Sequence, residues 1–168
     1  TVRHAAVAKL SIQTQPSAVA TAAVAFVSQP VIRLEDIYGN LATGAVHQVT
    51  AGTASGTGIL LGSTNATMTN GLATFTGLNY TNAGAFTIRL LATNLTGVTS
   101  ATVTVGANFA RTLVMATNPS AVATAGVAFV TQSVVRIEDG YGNLVTTGSL
   151  AVGSVTLGGG ALVQGSTN

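Results

Sequence analysis

Apolar and polar residues alternate one for one in several short stretches of this chain. In Lys9–Thr14, Leu10 and Ile12 fall on one side, with Lys9, Ser11 and Gln13 opposite. Ile32 and Leu34 alternate in the same way with Val31, Arg33 and Glu35. Phe86, Ile88 and Leu90 alternate with Ala85, Thr87 and Arg89, and Val103 and Val105 with Thr102 and Thr104. A period of two predicts strands with one buried face. The abundant Val and Thr suit a pleated surface because their branched Cβ is stiff. Residues 18–26 are Ala-rich, but their Thr, Val and Phe favour an extended strand over a helix. Turn signals separate the runs: Tyr38-Gly39-Asn40, Thr69-Asn70-Gly71 and Thr81-Asn82-Ala83-Gly84. No stretch carries a capped 3.6-residue pattern. The expected core is Phe26, Ile32, Leu34, Phe75, Phe86, Ile88 and Val103.

The chain also repeats itself. Residues 15–43 return at 118–146, and the offset of 103 positions holds without a gap from Thr1-Val2, matched by Thr104-Val105, to Gly62–Asn65, matched by Gly165–Asn168. Roughly half of the overlapping positions are identical, which marks a duplication. About seven strands are expected per period of 103 residues, the size and strand number of an immunoglobulin-like sandwich. The expected fold class is therefore all-β: tandem immunoglobulin-like antiparallel β-sandwiches with an incomplete second copy. Residues 1–8 read as the end of a preceding repeat, 9–106 as a complete repeat, and 107–168 as the N-terminal part of a second. Half a β-domain cannot bury its apolar face alone, so the missing strands are expected from further sequence or from a neighbouring chain.

Composition narrows the function. Charged residues make up 6% of the 168, against about 25% in a typical soluble domain. Six basic against four acidic residues form no basic patch, so nucleic acid is not an expected partner. The chain has no Cys, which removes disulfides and thiolate metal sites. Polar residues interrupt every apolar stretch, so membrane insertion is not expected.

Two motifs carry a family resemblance. Residues 31–46, VIRLEDIYGNLATGAV, resemble the strand–turn–strand motif of bacterial immunoglobulin-like repeats of the invasin and intimin group. Residues 70–90, NGLATFTGLNYTNAGAFTIRL, resemble their second signature, an Asn-Gly followed by Ala-Thr-aromatic-Thr and then Ala-Gly before a strand. The match spans a full period. It implies a stalk or fibre module of an extracellular bacterial surface protein, with any host or surface receptor contacted through regions not present. In one respect the chain departs from the family, which is usually more charged.

All four acids lie in two equivalent dipeptides, Glu35-Asp36 and Glu138-Asp139, each just before a Tyr-Gly-Asn turn. In one reading, Asp36 and Asp139 accept backbone N–H bonds, Gly39 and Gly142 take positive φ, and Glu35 pairs with Arg33. In the other, a Ca²⁺ site starts from Glu35, Asp36 and Asn40, and again from Glu138, Asp139 and Asn143, with carbonyls and water completing six to eight oxygens. No other cofactor is expected. Asn65, Asn79 and Asn94 fit the N-glycosylation pattern, and glycans would cover a surface short of charge. Tyr38, Tyr80 and Tyr141 are the candidates for stacking on a sugar.

Catalysis is not expected. His4 and His47 have no neighbouring acid in sequence and align with Ala107 and Leu150 in the second copy. The Gly-rich run at 157–160 lacks the Lys and helix of a phosphate cradle. The expected function is a non-enzymatic adhesin stalk or fibre module whose partners are neighbouring repeats or identical subunits. The alternative is a self-assembling extracellular filament subunit whose incomplete second sandwich is completed by strands from a neighbouring chain.

Overall fold

A computed structural model of the chain describes residues 4–148 and 151–154. Every regular element among them is a strand: β1 (Val7–Thr14), β2 (Val19–Thr21), β3 (Val31–Asp36), β4 (Gln48–Ser55), β5 (Leu60–Leu61), β6 (Asn65–Thr67), β7 (Leu72–Thr74), β8 (Asn79–Tyr80), β9 (Gly84–Leu91), β10 (Val98–Thr99), β11 (Val103–Gly106), β12 (Thr112–Thr117) and β13 (Val134–Glu138). β1, β3 and β7 form one antiparallel sheet. A second runs β2-β11-β9-β4-β6, with β10 also paired to β9. Only the β2–β11 pair in it is parallel.

The two sheets share one apolar core. Leu10, Ile32, Leu34 and Ala73 come from the first, and Val49, Phe86, Ile88, Leu90, Val103 and Val105 from the second. The alternating residues of the sequence are thus the buried ones, Ile12 alone being only partly buried, and all seven expected core positions are buried. Burying one such Leu, Ile or Phe contributes about 1.5–3 kcal/mol, so this layer is the main source of stability for residues 7–106. Tyr80 joins it. Its ring stacks on Phe86 with centroids 3.8 Å apart, and its hydroxyl accepts the Gly58 N–H at 2.6 Å. The hydroxyl's hydrogen bond is what lets a phenol sit in an apolar core.

Two expectations need correction. The stretch 18–26 is not one strand: only Val19–Thr21 pairs, and Ala23 takes a φ of 59°. That bend sends the Phe26 N–H to the Leu78 carbonyl and Phe26 itself into the core. Residues 7–106 also hold eleven strands where about seven were expected, because loops at the sheet margins pair in pieces of two or three residues. The Thr69-Asn70-Gly71 turn is as expected. Asn70 and Gly71 both have positive φ, and Thr69 and Leu72 exchange hydrogen bonds across a two-residue loop.

The second copy repeats the first pair of strands. β12 and β13 pair Leu113 with Ile137 and Met115 with Val135, as β1 and β3 pair Leu10 with Leu34 and Ile12 with Ile32. The register irregularity between Ile12 and Thr14 recurs between Met115 and Thr117. The packing differs. Leu10 is 5% exposed and its counterpart Leu113 58%; Phe26 is 3% exposed and Phe129 44%. Gln29 ties the first copy together by donating to the Phe26 and Leu78 carbonyls and accepting the Leu78 N–H. Gln132 repeats only the bond to Phe129. Among the described residues, nothing stands over the second copy in the place that β9 and β11 take over the first.

Candidate functional site

The two acidic dipeptides sit on matching turns. β3 delivers Asp36 inward at its C-terminal end, and the chain reverses through Ile37, Tyr38 and Gly39 to Asn40. Gly39 has a φ of 85° and Gly142 one of 82°, in the left-handed region that a side chain makes costly. The Asp36 N–H donates to the Asn40 carbonyl at 3.0 Å, and the Asp139 N–H to the Asn143 carbonyl at 2.9 Å.

Each Asp carboxylate gathers four N–H donors. Asp36 Oδ1 accepts the backbone N–H groups of Tyr38 and Asn40 at 2.9 and 2.8 Å; Oδ2 accepts the Ala5 N–H at 2.8 Å and the Asn40 side-chain amide at 3.0 Å. Asp139 repeats the set with Tyr141, Asn143, the Asn108 N–H and the Asn143 amide, at 2.8–2.9 Å. The Asn40 amide and these backbone donors hold the Asp36 carboxyl down at about 2, below its ordinary value of 3.8. At Asp139, burial pushes the pKa up, but the Asn143 amide and the Asn108, Asn143 and Tyr141 N–H groups outweigh it and the net direction is down.

Adjacent strand residues face opposite ways, so each Glu is separated from its Asp. Glu35 accepts the Ser11 hydroxyl at 2.7 Å and lies 3.3 Å from Arg33 and 3.8 Å from Lys9. Glu138 pairs with Arg136 at 2.6 Å. Asp36 and Asn40 therefore come together, as do Asp139 and Asn143, and the glutamates join the surface pairs instead. No group of three or more acids or histidines gathers among the described residues.

The second turn does more than close on itself. The Asn143 amide also donates to the Thr81 carbonyl at 2.8 Å, and its Oδ1 accepts the Ala83 N–H at 2.7 Å. Both partners belong to the β8–β9 loop of the first copy. Asn108 adds a strut, its amide donating to the Ala22 carbonyl at 2.8 Å. One asparagine thus uses both amide N–H groups and its Oδ1 between its own aspartate and a peptide edge of the neighbouring copy, and it is buried there. Beside it lies an open cleft of about 470 Å³ lined by Thr21, Val24, Phe109, Val145 and Thr147. In the first copy Asn40 makes the bond to Asp36 but is exposed, and no second partner for its amide stands among the described residues.

The recurrence of Asp-x-Tyr-Gly-Asn pointed to these turns. Nothing in the sequence marked Thr81, Ala83 or Ala22 as partners, because two of them contribute only a carbonyl and the other only an N–H. Asn108 was hidden as well, since its counterpart is Ala5.

The remaining candidates fall elsewhere. Asn65 and Asn94 are exposed, Asn65 accepting the Thr50 hydroxyl at 2.8 Å and Asn94 at a turn with a φ of 61°. Asn79 is half-buried, and the Thr81 hydroxyl of its sequon is engaged with the Ile59 N–H and Asn82. Tyr80 is a core residue, which removes it as a sugar-stacking surface. Tyr38 and Tyr141 are exposed on the two turns. His4 accompanies the segment leading into β1, with Nδ1 2.8 Å from the Ala5 carbonyl. The Gly-rich run at 157–160 lies outside the described residues. No helix among the described residues is long and apolar enough to cross a membrane. No protein-family model and no curated protein sequence matches the chain.

Proposed function

We propose that the chain is a non-enzymatic structural part of an extracellular bacterial surface protein, an adhesin stalk or fibre built from tandem immunoglobulin-like β-sandwiches. In this reading residues 9–106 are one complete unit, 1–8 the end of a preceding one and 107–168 the start of the next. The observation that carries it is the Asn143 clamp, which fastens the start of one copy to the β8–β9 loop of the copy before it. A stalk or spacer needs such fixed joints, because stability in a linear array is set by each unit and its contacts with neighbours. The resemblance of residues 31–46 and 70–90 to bacterial surface repeats supports the location.

Protease shaving of intact source cells tests it. Peptides of this chain released before lysis fit the proposal. Their recovery only after lysis refutes a surface location.

The exposure of Leu113, Met115 and Phe129 favours a second reading, in which strands of a neighbouring chain complete the second copy. Sedimentation velocity over a concentration series tests this: polymers that Leu113→Asp disperses support strand exchange, and a monomer at all concentrations excludes it.

A further inference from the structure

We infer that the Asn40 end of the first copy is a socket for the trailing loop of another repeat of this sequence, a loop that offers a carbonyl and, two residues later, an N–H, as Thr81 and Ala83 do. This rests on the tandem reading above and adds the specific contact that extends an array in the N-terminal direction.

Two copies of one turn carry the inference, one filled and one open. Asp36 and Asp139 hold their asparagines through the same four donors at nearly the same distances. The Asn40 amide is therefore already positioned as the Asn143 amide is, and docking would not need to order it. Asn143 uses its remaining N–H and its Oδ1 on Thr81 and Ala83 and is 9% exposed, whereas Asn40 stands exposed with both groups open among the described residues.

The leading segment agrees. The Ala5 N–H reaches Asp36 as the Asn108 N–H reaches Asp139, so the chain enters the two copies along the same path. In the second copy that path comes from β11 of the first, and Thr1-Val2 match Thr104-Val105 of β11 in sequence. The partner chemistry is set by the amide. It accepts one N–H and donates to one C=O of an extended or turning backbone edge, with no charge involved.

The test is the full chain extended by a further copy of residues 1–103 joined directly before Thr1, which keeps the repeat in phase. Backbone amide exchange is followed by NMR at Ala83 of the added unit and at the original Ala83. The inference expects both to be protected at least tenfold over an open loop, with Asn40→Ala releasing the added one and leaving the original protected. Rapid exchange at the added Ala83 beside a protected original one overturns the socket while leaving the Asn143 joint intact. Rapid exchange at both overturns the joint and the tandem reading with it. Protection at the added Ala83 that survives Asn40→Ala also overturns the socket. If the unextended chain dimerises and Asn40→Ala abolishes the dimer, the occupant is a second molecule and the inferred partner is wrong.

Discussion

Asn143 bonds Asp139 and Thr81 with the same side-chain nitrogen, at 2.8 Å in each case. The first bond closes a turn within one copy, and the second crosses into the copy before it. Turn geometry and copy-to-copy orientation are therefore coupled. Whatever loosens the carboxylate loosens the joint, because the Asn143 side chain that reaches Thr81 and Ala83 is held by the same carboxylate.

Acid should test the two carboxylate turns. The Asp36 carboxyl is held at about 2, below its ordinary 3.8, so the folded form favours the ionised group. Its stabilising contribution is complete above about pH 4 and is lost as pH falls towards 2; Asp139 acts in the same direction. Thermal melts from pH 5 to pH 2 should show the melting temperature falling across this window. Asp36→Asn should flatten part of the slope. An unchanged slope in that variant would mean the acid response lies elsewhere.

Calcium should have no such effect. A carboxylate offers about four lone-pair sites, and the four N–H donors on each Asp take them, while Glu35 and Glu138 stand apart with Arg33 and Arg136. Calorimetric titration with millimolar Ca²⁺ is expected to give no heat and no change in melting temperature. Saturable heat that Asp36→Asn removes would show that the turns rearrange around the ion.

In the core, Phe86→Ala should cost about 3–5 kcal/mol, since it empties a site bounded by Phe26 and the stacked ring of Tyr80. Denaturant unfolding would measure this. A loss below about 1 kcal/mol would mean that the ring is not a core element.

At the turn, Gly39→Val should destabilise by about 1–3 kcal/mol through strain at positive φ alone, because little lies near the added side chain. Gly39→Asn, which tolerates this conformation better, should recover part of the loss. Equal stability of Val and Gly would place the residue in another conformation.

The alternation at Leu10, Ile32, Phe86 and Val103 made the strands and the core legible, because a two-residue period and burial express the same geometry. The repeat likewise made the paired Asp-x-Tyr-Gly-Asn turns legible. What stayed hidden depends on long-range packing. Ala23 bends a stretch whose composition favours an extended strand. Tyr80 is buried because Gly58 reaches its hydroxyl from 22 positions away. Asn143 reaches Thr81 and Ala83 through backbone groups that every residue type carries, so no side-chain pattern could reveal them.

The joint itself is open to direct measurement at Ala83, whose N–H donates to the side-chain Oδ1 of Asn143 in the other copy. Amide hydrogen exchange in the unaltered chain should find this proton protected, and Asn143→Ala should return it to the rate of an open loop while Ile88 and Leu90 keep theirs. Exchange at Ala83 that is fast in the unaltered chain, or indifferent to Asn143→Ala, would contradict a fixed joint between the two copies.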